Sequence, residues 1–266
     1  MVSLAPLEFS AHGAPLLYAA FVWWFSTGAI LWLDGRGRET YVWSFGLAGG
    51  VGLASLAGLV ATAEDASVFG AYAAFTAAIG VWAWHEMSFL MGYITGPRRE
   101  DCPPGLSGWG RFRAATATLI HHEIALAATA AVILVLSWDK PNMVGAWTFA
   151  LLWALRLSSK LNLFFGAPNF TEGFLPAHLS YLTSYLRRAP VGGFFLCSAG
   201  AATGLTVWLG VQALAPDQGA AATAGYGLLF ALAALGVLEH LFLAFPLHEA
   251  ALWRWAQAPA RRAGEE

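Results

Sequence analysis

Seven apolar stretches of about twenty residues or more divide this chain, at approximately 14–33, 41–62, 68–94, 114–138, 144–165, 190–214 and 221–245. A helix of roughly 20 residues crosses the ~30 Å hydrocarbon layer of a bilayer. None of the stretches alternates with period two, and each is far longer than a barrel strand, so helices are expected and strands are not. Charged residues make up only 11% of the 266 residues and hydrophobic ones 58%, with a mean hydropathy of +0.58. Soluble domains carry roughly 25% charge. So few charges cannot cover a water-facing surface of this size. They also exclude a disordered chain, a secreted disulfide scaffold and a basic nucleic-acid binder. The expected fold is all-α: a polytopic membrane bundle of seven transmembrane helices forming one domain over residues 1–266.

The edges of the stretches carry stop signals. Asp34 to Glu39, Glu64-Asp65, Gly96-Pro97, Pro103-Pro104, Pro141 and Pro216 all fall between apolar runs, where proline and charge end a helix in lipid. Tryptophans near the ends, among them Trp23, Trp24, Trp43, Trp138 and Trp208, suit the headgroup layer. Cys102 in a polar loop and Cys197 in an apolar run offer no pairing and no metal-ligand spacing. No basic region precedes the first apolar run, so a cleaved signal peptide is not expected.

The basic residues orient the bundle. Arg36 and Arg38 lie in the first connection. Arg98, Arg99, Arg111 and Arg113 lie in the third. Arg156, Lys160, Arg187 and Arg188 lie at the end of the fifth span and in the connection after it, and Arg254, Arg261 and Arg262 in the C-terminal tail. Of the 14 Lys and Arg, Lys140 alone falls on the opposite side. The positive-inside rule then puts the N-terminus outside (periplasmic) and the C-terminus in the cytoplasm. Two more segments, Phe174–Arg188 and His248–Arg262, combine leucines or tryptophans with arginine. Each fits either a helix lying flat on the cytoplasmic surface or a loop helix packed on the bundle. Gly46, Gly50, Ala54 and Gly58 recur every four residues and form a smooth face for close helix approach, within this bundle or with a partner's helix.

A few ionisable residues lie inside the spans: His85 and Glu86 in the third, His121, His122 and Glu123 in the fourth, Arg156 and Lys160 in the fifth, Glu239 and His240 in the seventh. Buried charge in lipid costs several kcal/mol unless paired or facing a cavity. With the spans drawn as above, Glu86 and Glu123 each sit roughly 15 Å inside their helices and Glu239 roughly 9 Å, which predicts one polar layer in the cytoplasmic half. His121, His122 and Glu123 fan over roughly 200° and cannot all face one centre. Three readings of the layer stay open. The carboxylates pair with Arg156, Lys160 or histidines and fix helix packing. Or Glu86, His122, Glu123, Glu239 and His240 supply ligands to iron or another metal, although no E-x-x-H pair or histidine box occurs. Or a membrane histidine ligates a tetrapyrrole, haem or bacteriochlorophyll. Nucleophile, Walker and dinucleotide motifs are absent. The lack of discontinuous paired spans or an inverted repeat argues against a transporter.

Several segments resemble the PuhE family. These are ITGPRREDCPPGLSGWGRF from Ile94 to Phe112, His121-His122-Glu123, RLSSKLNLFFGAPN from Arg156 to Asn169, FLPAHLSYLTSYLRR from Phe174 to Arg188, Leu238-Glu239-His240 and ALWRWA from Ala251 to Ala256. PuhE proteins are photosynthetic-complex assembly proteins of purple phototrophic bacteria, encoded beside the reaction-centre H subunit and linked to bacteriochlorophyll supply. The resemblance implies a multi-pass protein of the bacterial cytoplasmic (inner or intracytoplasmic) membrane. Its partners would be reaction-centre or light-harvesting subunits and other assembly proteins, with no nucleic acid. The third and fifth connections would dock them, through Arg98, Arg99, Trp109, Arg111, Asn169, Arg187 and Arg188. The alternative is a metal-dependent membrane oxidoreductase of bacteriochlorophyll metabolism. For the topology, a reporter fused after Glu266 is expected to read cytoplasmic; a periplasmic reading would refute the count of seven spans.

Overall fold

The computed structural model describes residues 8–170, 175–247 and 249–256. Phe174, His248, Arg261 and Arg262, named above, lie outside the described residues. Among the described residues eight α-helices follow one another: α1 (Ala14–Asp34), α2 (Tyr41–Thr62), α3 (Val68–Leu90), α4 (Gly108–Thr116), α5 (Ile120–Ser137), α6 (Val144–Phe165), α7 (Gly193–Ala213) and α8 (Ala220–Ala244). Short 3-10 turns occupy Ala177–Tyr185 and Glu249–Trp253. No strand occurs among the described residues.

Five segments are long and apolar enough to cross a membrane: Phe9–Asp34, Arg38–Thr62, Ile120–Ser137, Gly193–Ala213 and Ala220–Ala244. The chain is a multi-pass membrane protein. Helices α3 and α6 are as long, at 23 and 22 residues. They hold Glu86, Arg156 and Lys160 and sit inside the bundle, α3 packing on α1, α2, α5, α6 and α8. Large apolar side chains face outward around the rim, among them Trp43 (80% exposed), Phe69 (75%) and Val135 (74%). Such a surface is stable only against acyl chains.

Local chemistry sets the helix ends. The Ser67 hydroxyl accepts from the Gly70 N–H at 3.0 Å and caps α3. Gly166, at φ 145°, terminates α6. At the C-terminal end of α3 the chain turns sharply at Gly92, whose φ of 79° disfavours any side chain. A Cβ there would also lie 3.1 Å from the His178 ring.

Two span limits differ from the sequence reading. The third apolar run extends to residue 94, but α3 stops at Leu90. The fourth begins near 114, but the chain breaks between α4 and α5, with Leu119 at φ −137°, ψ 2°. The break is held by the loop before it: the Arg98 N–H donates to the Ala117 carbonyl (3.1 Å) and the His122 N–H to the Thr95 carbonyl (3.0 Å). A Cβ at Gly96 would overlap the Ala117–Leu119 backbone, so glycine permits the approach. Hydropathy does not register such a break, because Ala114–Ile120 is apolar enough to continue a span. Glu86 therefore lies four residues from the end of α3, roughly 6 Å in, and Glu123 in the first turn of α5. Both are shallower than the sequence spacing suggests.

The connections gather at two ends. At one end Asn142 binds the Thr62 carbonyl through its side chain (3.0 Å) and the Ala63 carbonyl through its backbone (3.1 Å), and Lys140 pairs with Glu64. At the other the turn Ala177–Tyr185 packs on the bundle. Its Leu179 and Leu182 bury against Phe89 and Leu90, and His178 meets the Tyr41 ring at 6.2 Å. Cys102 N–H donates to Ser184 (2.8 Å), and the Arg111 guanidinium to the Tyr185 carbonyl (2.5 Å). The described part of the Phe174–Arg188 segment is thus a packed loop turn. The C-terminal turn is not flat on a surface either. Trp253 is buried and donates to the Trp24 carbonyl (3.1 Å), while Trp24 donates to the Leu252 carbonyl (2.9 Å). Trp24 lies ten residues from the end of α1, roughly 15 Å in. Trp23 and Trp24 therefore serve this turn, whose Trp253 and Trp255 rings lie 5.3 Å from theirs.

The glycine stripe of α2 approaches α3 at one end only, where a Cβ at Gly58 would lie 3.5 Å from Ala77. Gly46 and Gly50 point to open space, and the face that meets α3 carries Ser44, Ala48, Gly52 and Leu59. A Cβ at Gly52 would lie 3.1 Å from that of Trp84. Gly52→Leu is expected to lower stability by about 1–3 kcal/mol through overpacking, whereas Gly50→Leu leaves it nearly unchanged. Thermal unfolding in detergent checks both.

Candidate functional site

Helix α6 organises the ionisable residues. Trp153, Arg156 and Lys160 recur at helical spacing and share one broad face. The Lys160 ammonium reaches Glu123 of α5 at 2.7 Å, and the Trp153 indole donates to the other carboxylate oxygen at 3.1 Å. The side chains of this pair are 18% and 13% exposed. The Arg156 guanidinium lies 3.6 Å from Glu86 of α3, and Glu239 of α8 also acts on it electrostatically. Two cations on one helix thus face carboxylates from its neighbours.

A second set of contacts continues along α6. His240 of α8 is fully buried. Its Nδ1 lies 2.7 Å from the Gly236 carbonyl and therefore carries the proton. Its Nε2 lies 2.8 Å from the Ser158 hydroxyl, which donates to it in that tautomer. Asn162 donates to the Ser158 carbonyl (3.0 Å) and to Ser198 of α7 (2.9 Å). Both nitrogens of His240 are occupied, which leaves no lone pair directed at a ligand.

The remaining histidines divide. His121 is exposed and does not join the layer. His122 is wholly enclosed, its ring 4.7 Å from Phe89 and 6.5 Å from His85. Among the described residues, neither of its nitrogens has a hydrogen-bond partner. The Nε2 of His85 lies 2.9 Å from Thr129. Among the described residues, no three His, Cys, Asp or Glu side chains converge closely enough to hold a metal ion. The enclosure of His122 leaves its ring no open face for a macrocycle. The Arg156–Glu86 and Lys160–Glu123 contacts are ion pairs of the kind the first of the three readings expects.

The arginines expected to dock a partner are largely spent on the protein itself. Arg98 donates to the Tyr185 hydroxyl (2.6 Å) and the Asp101 carbonyl (3.1 Å), and Arg99 to the Gly92 carbonyl (3.3 Å). Arg111 lies 4.4 Å above the Phe164 ring and Arg188 4.2 Å above Phe170. The Asn169 N–H donates to the Leu243 carbonyl (3.2 Å). Burial under this loop assembly pushes the His178 imidazole below its ordinary value. Trp109 is the outward group: 70% exposed, stacked on Phe112 at 5.0 Å, with Arg113 exposed beside it. Arg187 is exposed as well.

Partners missed at the sequence level are neutral: Trp153, Ser158, Thr129 and Ser198. Only Trp153 carries a trace in sequence, seven residues before Lys160 and so on the same helix face.

These features define a multi-pass helical membrane protein whose buried charges are matched between helices. The chain belongs to the family described as "Protein of unknown function (DUF3623)", whose model matches residues 9–264. It is 42% identical over 247 residues, covering 90% of this chain and 88% of the relative, to a Rhodobacter capsulatus protein described as "Uncharacterized 30.4 kDa protein in puhA 5'region". No solved structure matches.

Lys160→Met would strand the Glu123 carboxylate, at a cost of roughly 3–5 kcal/mol for a buried pair with one partner removed. Adding Glu123→Gln is expected to recover most of that loss. Unfolding of the single and double variants in mixed micelles measures the difference.

Proposed function

We propose that this protein is an assembly factor for the bacterial photosynthetic apparatus and belongs with the PuhE proteins. It would act in the cytoplasmic (inner or intracytoplasmic) membrane on reaction-centre or light-harvesting subunits. The observation that carries the reading is the 42% identity to a protein described by its position in the puhA 5' region. That position agrees with the segment resemblance to proteins encoded beside the reaction-centre H subunit. The site geometry supports a scaffold over a catalyst, because each carboxylate of the two ion pairs is matched by a cation from α6.

The same reading takes all seven long helices as spans, with the N-terminus periplasmic and the C-terminus cytoplasmic. Its support is the sorting of connections at the two ends. The basic connections that hold Arg98, Arg111 and the Ala177–Tyr185 turn bind one another, and the connections with Glu64 and Lys140 meet at the opposite end. In that frame α4 lies at the cytoplasmic interface. Trp109 and Arg113 offer a partner one aromatic ring and one charge on a helix anchored from behind by Arg111.

Deleting the gene in a phototrophic host is expected to reduce the reaction-centre absorbance bands several-fold. Wild-type protein would restore them, and the charge-neutral double variant Glu123→Gln/Lys160→Met would do so as well. Trp109→Ala/Arg113→Ala would not, though its level in the membrane stays normal. Unaltered spectra in the deletion strain would overturn the proposal.

A further inference from the structure

A cavity of about 330 Å³ lies between α1, α3, α6 and α8 and is closed in part by the C-terminal turn. Most of its wall is apolar, formed by Trp23, Trp82, Leu152, Leu232, Phe242 and Trp253. Its volume is within the ~300–1,000 Å³ range of small-molecule sites. One part of the wall is different. Glu86, Arg156, Ser159 and Glu239 line it together.

Arg156 makes the cavity more than a packing fault. It sits deep between the helices, yet 44% of its side-chain surface is open, and that surface borders the cavity. A guanidinium has five N–H donors. The contact with Glu86 at 3.6 Å is an ion pair longer than a hydrogen bond. Glu86 is nine-tenths buried, and among the described residues its Oε1 has no hydrogen-bond partner; neither does the Ser159 hydroxyl. Unmet polar groups of this kind cost about 1–3 kcal/mol each when left dry. Water can serve the polar wall, but it leaves the larger wall of Trp, Leu and Phe without apolar contacts, which a molecule with an apolar body would supply.

The charges also restrict the ligand. The Arg156 cation is already faced by the Glu86 carboxylate and acted on by Glu239. A carboxylate or phosphate brought into this wall would be desolvated against two existing carboxylates, at high cost in a low-dielectric interior. A neutral head avoids that cost, and its oxygen can accept from the guanidinium.

We infer that this cavity binds a neutral, lipid-soluble molecule bearing a carbonyl or hydroxyl oxygen at its head, the oxygen bound by Arg156 and the apolar body laid along the tryptophans. The site is independent of any role in photosynthetic assembly and is read on the isolated protein.

Decylubiquinone, which has head carbonyls on an apolar chain, serves as the probe, because a quinone quenches the Trp23, Trp82 and Trp253 that line the site. Titrated into the full chain in detergent, it is expected to give saturable quenching. Ala83→Phe places a ring in the cavity from the wall of α3 and is expected to weaken binding by about tenfold or more. Arg156→Lys keeps a cation facing Glu86 but loses the guanidinium fork, and should weaken binding by roughly tenfold, the worth of a hydrogen bond to a charged group. It provides the test if Ala83→Phe does not fold. Geranylgeraniol, with one neutral hydroxyl and no ring, separates the sources. Relief of quenching assigns the site to neutral head oxygens generally, and no relief assigns it to quinones. Quenching that never saturates, or that both variants leave unchanged, would show partition into the micelle and overturn the inference. So would displacement by palmitate in preference to geranylgeraniol, which would make Arg156 an anion site.

Discussion

The pairing of α6 cations with carboxylates on neighbouring helices is the constraint on which the rest of the bundle depends. Between helices in lipid there is little hydrophobic drive to associate, because acyl chains are as apolar as leucine. Packing and polar contacts must select the neighbours. Lys160 with Glu123 fixes α5 beside α6, and Arg156 with Glu86 fixes α3 beside α6. Ser158 with His240 and Asn162 with Ser198 add α8 and α7. One helix thereby specifies four neighbours. Any slip of α6 by a residue would rotate its charged face by about 100° and strand buried charge, so the register is strongly defined.

The loops serve the same end. Because α3 stops at Leu90 and α5 begins at Ile120, Glu86 and Glu123 lie near helix ends, where water would otherwise compete for them. The turn Ala177–Tyr185 lies over that end with Leu179 and Leu182 on Phe89 and Leu90. Arg98 and Arg111 hold it there through Tyr185. Covering the pairs lowers the local dielectric and strengthens each of them. Arg98 and Arg111, which look like docking residues in the sequence, are therefore part of the cover. This leaves Trp109 and Arg113 as the outward groups on α4.

Much of the architecture was legible before any coordinates. Five of the seven apolar runs end within three residues of their helices, because in lipid a backbone must satisfy itself as helix for as long as the side chains are apolar. The limits near 94 and 114 were not legible. They depend on Gly92 adopting φ 79° and on Gly96 reaching the Ala117–Leu119 backbone, and neither event leaves a mark in hydropathy. Which small-residue face of α2 meets α3 was not legible for a related reason. Small residues recur on two faces of that helix, and only the position of Trp84 selects the face with Gly52.

What the sequence by itself determined is the solvent and the identity of the few charges that must be resolved inside it. A chain with 11% charged residues and 58% hydrophobic ones belongs in lipid, and Glu86, Glu123, Arg156, Lys160 and Glu239 are costly there in whatever fold forms. The tertiary structure decided how each is resolved. Glu123 closes fully on Lys160 and Trp153, whereas Arg156 keeps open surface against a cavity beside Glu86 and Glu239. That difference arises from distances between helices. Periodicity places residues on a helix face, but it carries no information about how far away the facing helix lies.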